Sequence, residues 1–267
     1  MTRHPAVAGR FYPGSEQALA RQISGFMSPG KQADRQAIAA VAPHAGYVYS
    51  GELAAQTLCA TIIPEQVVIL GVNHHGRGAA VALSAMDWEI PGATIPHATE
   101  LSASLQRHCP DISIDEQAHR FEHSLEVQVP LLRALQPRLR IAPVAFSHLS
   151  FGDCVRLAED IAEAVKQCKQ STLLVASSDM SHYESRAQGS KKDKKALAHV
   201  LALDGEGLYN TVHGEQISMC GVIPVTITIL AARHLGASRA ELIGYTDSGA
   251  VSGDTDQVVG YAGVIIE

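Results

Sequence analysis

Three short apolar runs in this chain each stop at a histidine. Residues 37–42 (AIAAVA) lead into Pro43-His44-Ala45-Gly46-Tyr47, and residues 67–72 (VVILGV) into Asn73-His74-His75-Gly76. Residues 172–177 (TLLVAS) lead into Ser178-Asp179-Met180-Ser181-His182. Runs of this length that are apolar on both faces read as buried strands of a parallel or mixed sheet. Such a sheet must be covered by helices on both sides, which restricts the chain to a layered α/β architecture. In open α/β sheets, ligands collect outside the carboxyl ends of the strands. Imidazoles delivered to that edge suit a metal, because neutral imidazole is a ligand for zinc, copper, iron and nickel.

The rest of the 267 residues alternates in the same way. Helical spacing predicts helices over 15–27, 51–60, 99–108, 151–168 and 190–203. A further helix is predicted over 122–135, kinked or split by Pro130, and another over 221–234, with Pro224 tolerated in its first turn. Strands are predicted at 141–146, 241–245 and 258–267, and a weakly alternating hairpin at 79–90, broken by Pro91-Gly92. This pattern predicts an α/β fold, a three-layer α/β/α sandwich around a central mixed, largely parallel sheet. No composition shift or low-complexity linker divides the chain, so residues 1–267 are expected to form one domain.

Composition narrows the function. With 46% hydrophobic residues the chain can build a sizeable core, and its net charge of −6 argues against a nucleic-acid partner. The one basic cluster, Lys191-Lys192-Asp193-Lys194-Lys195, reads as a solvated helix face. The N-terminus lacks a signal-peptide stretch, and no apolar run approaches the ~20 residues that span a bilayer, so no membrane association is expected. The five cysteines are widely spaced and form no CxxC, so neither a disulfide framework nor a zinc ribbon is implied. A reducing cytoplasm is the expected compartment. No GxSxG elbow, P-loop or HExxH is present.

The residues that remain to carry chemistry lie in the loops after the strands. His44 occupies a loop whose Gly46 lets backbone pass close to a ligand. His74 and His75 are adjacent and point in different directions, so one can face the crevice while the other packs; spacing does not decide which, and Asn73 can bond either. Asp179 and His182 lie three apart. An Asp there can orient an imidazole and raise its basicity, or cap a following turn together with Ser178. Glu122 and Glu126 read as acidic residues at a helix start, while His123 and Glu126 would share one face and could reach the same crevice. Cys220 precedes a helix, where the positive N-terminus lowers a thiol pKa and favours thiolate; the same residue would also serve as inert core filling.

Six ordered motifs carry a resemblance: residues 5–13 (PAVAGRFYP), 42–47 (APHAGY), 70–75 (LGVNHH), 122–126 (EHSLE), 177–182 (SSDMSH) and Cys220-Gly221. Together they resemble the Memo family, also called AmmeMemoRadiSam system protein B, from residue 5 to the C-terminal strand. That family is similar in fold to the class III extradiol dioxygenases, non-haem iron enzymes that cleave catechol rings. The resemblance implies a mononuclear metal site with His44, His74 and Cys220 as ligands. It also implies His182 as an acid/base, oriented by Asp179, and His75, Asn73, Tyr47, His123 and Glu126 around the pocket. Where the dioxygenases complete their site with a carboxylate, this chain offers Cys220, and the softer thiolate shifts preference toward copper or a differently tuned iron. The implied cofactor is an iron or copper ion, and the implied activity is dioxygenase-like oxidoreduction of a small organic substrate. A non-catalytic metal- or peptide-binding adaptor is the competing expectation, as is an accessory role beside radical-SAM and AMMECR-type pathway proteins.

Overall fold

The computed structural model describes residues 1–27 and 33–267. Four parallel strands form the middle of a nine-stranded sheet, in the order Ala39–Ala42, Thr172–Ser177, Gln66–Val72 and Arg140–Phe146. Antiparallel neighbours flank them. Val258–Ile266 pairs with Ala39–Ala42 through its last residues and with His182–Glu184 through its first, and it also pairs with Ala240–Asp247. Val81–Leu83 closes the far side, with Ser113–Ile114 at the margin.

Alternate residues of the parallel strands face opposite ways, as the pleat requires, and each face builds its own core. Val41, Val68, Leu70, Val144, Leu174 and Ala176 pack under helices that include Phe151–Lys166, Arg186–Leu201 and Val222–His234. Ala40, Val67, Ile69, Ile141, Leu173 and Val175 pack under Glu16–Phe26, Glu52–Cys59 and Gln128–Leu135. The molecule is therefore the three-layer sandwich that the apolar runs predict.

Register sets the strand ends level. Ala42 pairs with Ser177, Leu70 with Ala176 and Val72 with Phe146. The loops that follow, beginning at Pro43, Asn73, Ser147 and Ser178, consequently emerge along one edge.

Three elements differ from expectation. Residues 79–90 are not one hairpin: Val81–Leu83 joins the main sheet, whereas Asp87–Ile90 pairs with Ala93–Ile95 and Thr2–Arg3 in a separate small sheet. The hairpin turns at Pro91-Gly92, where Gly92 takes φ +87°. The Trp88 indole is fully buried and donates to Ser84 Oγ at 2.9 Å, tying down the bend between the two sheets.

The helix expected over 122–135 begins only at Gln128, which places Pro130 in the first turn, where a missing N–H costs nothing. Residues 122 and 123 are irregular and 124–127 form turns instead, because the Glu122 carboxylate takes the backbone N–H groups of His123 and Ser124. Lastly, a helix over Gly205–Gly214 appears where none was expected, started by Asp204, whose side chain accepts from the Gly207 N–H.

Candidate metal centre

Three imidazoles meet at the carboxyl edge of the sheet. His44 follows Ala39–Ala42, His74 follows Gln66–Val72, and His123 comes from the turns before Gln128–Leu135. One ligand nitrogen from each lies within 4.8 Å of the others. The His74 and His123 rings stack with centroids 4.6 Å apart, and His44 stands edge-on to both, at 5.3 and 5.4 Å. Cys220 completes the group, its Sγ 3.2 Å from His44 Nε2.

Cys220 gets there by a close approach of backbone. A Cβ on Gly221 would stand 2.3 Å from Ser178 Cβ, so only glycine lets this loop press against the Ser178–Asp179 loop. The Gly221 N–H then donates to Ser178 Oγ at 3.1 Å.

The ring orientations follow from their partners. Ser177 Oγ donates its one proton to Ser124 O at 2.6 Å and accepts from Gln128 Nε2 at 2.9 Å. Lying 3.0 Å from His44 Nδ1, it can only accept there as well. The His44 proton thus sits on Nδ1, and the Nε2 lone pair faces Cys220. His74 donates its Nδ1–H to Glu122 Oε1 at 2.8 Å, which leaves Nε2 as its ligand atom. A carboxylate or hydroxyl behind the ring is the arrangement that fixes the tautomer of metal-ligating histidines.

Charge at the site is set by burial. Burial first, then the neighbouring His123 and His74, holds His44 well below the usual imidazole range. Burial likewise lowers His123 to about 4, against the pull of Glu122. Glu122 is fully buried. Its burial opposes ionisation, but the hydrogen bond from His74, the charge of His74 and the backbone N–H of Ser124 overcome it and hold the carboxyl well below its usual range.

The Cys220 thiol is pushed up, by burial and then by Asp179. The helix begins after it, with Gly221 as cap and Val222 as first residue. The expected lowering by the helix N-terminus is therefore outweighed, and a metal must displace the thiol proton to gain the thiolate.

The remaining expected residues divide. Asp179 is buried beside His44, accepting its backbone N–H at 2.7 Å, with the other oxygen 4.0 Å from His44 Nε2. Burial raises this carboxyl to about 6, against the hydrogen bond from the His44 backbone. Asp179 does not hold the His182 ring, as expected from their spacing; the His182 Nδ1–H goes to Ser218 O at 2.8 Å. His182 still lies near enough to weigh on the charge of both His44 and Asp179.

Of the adjacent pair, His74 joins the cluster, while exposed His75 turns away and donates Nε2–H to Phe121 O at 3.0 Å. His123, expected around the pocket, is itself one of the three clustered rings. Tyr47 points into the interior, its hydroxyl donating to Val127 O at 2.7 Å. Glu126 does not share the crevice with His123, because residues 122–127 are not helical. Its carboxylate accepts from Arg3 Nη1 at 2.7 Å, the Ala6 and Val7 N–H groups and the Tyr12 hydroxyl, so it anchors the N-terminal segment. Glu122 and Ser177, which orient the rings, were missed by sequence reasoning. Glu122 was visible in the sequence as the neighbour of His123, but its partner His74 lies 48 residues away.

Beside His74 and Cys220 opens a cavity of about 470 Å³, walled by Val72, Phe146, Val222 and Ile223, with Asn73 and His148 among its polar lining. A strand-edge cluster of three imidazoles and a thiol, backed by a carboxylate and a hydroxyl, at the mouth of such a cavity defines an α/β sandwich protein with a site suited to a metal ion.

The sequence model of the Memo-like protein family matches residues 3–265. A MEMO1 family protein of Methanopyrus kandleri is 38% identical, over 99% of both chains. One of Methanosarcina barkeri is 36% identical, over 99% of this chain and 100% of its own. The chain belongs to the Memo family. An uncharacterized protein from Escherichia coli K12 has a similar structure, with a TM-score of 0.58 over 86% of this chain and 99% of that one. At 12% identity that likeness concerns the fold alone. Among the described residues no helix is long and apolar enough to cross a membrane.

Proposed function

We propose that the protein is a metal-dependent oxidoreductase, holding one iron or copper ion at His44, His74 and His123 with Cys220 as a further donor, and acting on a small organic substrate. The observation that carries this reading is the orientation of two rings: Ser177 and Glu122 hold the Nδ1 atoms of His44 and His74, reserving both Nε2 atoms for a ligand. Imidazole and thiolate together suit copper and iron better than magnesium or calcium. When bound, such a metal supplies one-electron and O₂ chemistry.

The chain's own residues do the rest. Asp179 ties the His44 backbone to the strand edge. His182, held through Nδ1, has Nε2 to move a proton to or from the substrate. The cavity beside His74 and Cys220 is of a size that suits small ligands, which favours a small-molecule substrate.

The test is metal content of protein purified without an affinity tag, followed by oxygen uptake with small alcohols and phenols. Roughly one metal per chain with substrate-dependent oxygen uptake is expected. An adaptor that keeps the pocket without turnover would hold the metal and consume no oxygen. Failure to bind iron or copper at all would overturn the reading.

A further inference from the structure

The four central strands end level, Ala42 beside Ser177 and Val72 beside Phe146. Two residues past each end stands a titratable side chain: His44, Asp179, His74 and His148. The first three lie in or beside the candidate metal centre. His148 is the fourth. It leaves the strand next to that of His74 at the matching register position, and paired strands run about 4.8 Å apart. The His148 ring is exposed. His213 stands edge-on to it with centroids 5.9 Å apart, and neither His148 nitrogen has a hydrogen-bond partner among the described residues.

His148 also lines the cavity of about 470 Å³ that it shares with His74 and Cys220. The other polar side chains of that lining already have partners. Asn73 gives its amide N–H groups to Arg77 O and Ser147 Oγ, the His74 Nδ1–H goes to Glu122, and Cys220 Sγ sits against His44. The rest of the wall is largely apolar, with Val72, Phe146, Val222, Ile223 and Pro224, and no acidic residue lines it. The chamber thus offers a ligand an apolar bed and one unengaged imidazole, beside a candidate metal centre.

We infer that His148 is the substrate-recognition residue of this chamber and that it takes a small carboxylate carried on an apolar body. An imidazole presents an N–H in either protonation state, and a hydrogen bond to an ionised acceptor is roughly twice as strong as one between neutral groups. A carboxylate there meets no negative side chain in the lining, and its body covers the apolar wall. Phosphate is disfavoured, because its oxygens call for several charged donors and the lining offers one free imidazole. The inference deepens the metal-centre reading and rests on it for what happens to the substrate, but the recognition itself belongs to His148. Among the alcohols and phenols offered for oxygen uptake, those that also carry a carboxylate are the ones this chamber favours.

The probes are phenylacetate and its uncharged analogue phenylacetamide. Each is titrated calorimetrically at neutral pH into protein with and without added Cu(II), and copper uptake is measured on the same samples. Phenylacetate should bind the unaltered protein at least about fivefold more tightly than the amide. In the copper-free protein it should also move the methyl resonances of Val72, Val222 and Ile223, which wall the chamber. His148→Phe keeps a ring but no donor. It should weaken phenylacetate by about tenfold or more, with and without copper, while copper uptake persists. His148→Gln, which restores an N–H, should recover most of the loss. The position is exposed, so both variants should fold. No binding of phenylacetate, equal affinity in the unaltered and His148→Phe proteins, or an equal loss in both variants would overturn the inference. Copper lost together with the ring would do so too, by making His148 a ligand. Absence of copper uptake with the His148 dependence intact would sink the metal reading and leave this recognition standing.

Discussion

Glu122 Oε1 stands 2.8 Å from His74 Nδ1 and also receives the N–H groups of His123 and Ser124, so one buried carboxylate sets the position of two of the three clustered imidazoles. Its second oxygen takes the His74 N–H at 2.7 Å. Glu122→Gln keeps the shape but can no longer accept equally at both positions, and the His74 ring loses a charged partner. Metal affinity should fall by roughly 10–100-fold, the usual cost of removing a partner behind a ligand. Competition titration with a chromogenic chelator would measure it. Unchanged affinity would show that His74 is not a ligand or does not depend on this carboxylate.

Ser177 is tested through His44. Ser177→Ala removes the acceptor that keeps the His44 proton on Nδ1, leaving the tautomer free to switch and close the Nε2 lone pair. A loss of metal affinity of similar size, roughly tenfold or more, is expected. The Gln128 amide, which also donates to Ser177 Oγ at 2.9 Å, keeps its bond to Pro43 O, so the fold should survive. Intact far-UV dichroism with weakened metal binding would be the signature; weakened binding with a lost fold would not count.

The metal-free protein should lose stability as pH falls from about 6.5 to about 4. His44 lies well below its usual range, and His119 and His123 are lowered to about 4, all chiefly by burial. In that window the unfolded chain binds protons at these positions and the folded chain does not, so each contribution is present above the unfolded value and lost as pH drops. Asp179 acts in the opposite sense: raised to about 6, it keeps its proton in the folded state where the unfolded carboxyl has released it. Asp160 and Asp193, also raised by burial, act in the same sense as Asp179, and the three histidines leave a net dependence on the order of 1 kcal/mol per pH unit. Urea unfolding at several pH values would show it, and a flat profile would contradict the burial of these rings.

Much of this was legible from the apolar runs. Residues 37–42, 67–72, 141–146 and 172–177 can only be buried strands, and their ends could be placed on one edge without a structure. Hence the positions of His44, His74 and Asp179 were readable. Pairings over long distances were not. The spacing of Asp179 and His182 suggested a bond between them, but Ser218, 36 residues from His182, takes the ring instead. Glu126 looked like a pocket residue because helical periodicity was assumed, whereas side-chain capture of backbone N–H groups by Glu122 keeps that stretch in turns. The Gly205–Gly214 helix was hidden by its three glycines, which lower helix propensity, and is held by tertiary packing of Leu208 and Val212.

Glu126 provides a stability test separate from the metal. It is fully buried against Arg3, itself 5% exposed, and no water can replace it. Glu126→Leu would leave the Arg3 guanidinium buried without its counter-charge, and the N–H groups of Ala6 and Val7 without acceptors. Removing one partner of a buried pair costs about 3–5 kcal/mol, enough to detach the first dozen or so residues or unfold the chain. Faster hydrogen exchange at Ala6 and Val7 should be the first sign. Exchange and melting temperature like those of the unaltered protein would show that the N-terminal segment is held by other contacts.

His182 is the residue to test for chemistry rather than binding. Its backbone N–H and its Nδ1–H both go to Ser218, to Oγ at 2.7 Å and to the carbonyl at 2.8 Å, so the ring is fixed without help from a ligand. Half-exposed at the strand edge, it is placed to exchange protons with solvent, and its charge bears on both His44 and Asp179. His182→Ala should retain its metal but lower any turnover by about 10²–10⁴-fold, the range for loss of a general acid or base. His182→Gln, whose side-chain amide can still donate to Ser218 O but cannot titrate, should be equally slow, separating proton transfer from positioning. Metal lost together with the ring would make His182 a ligand instead, and full turnover in both variants would remove it from the reaction.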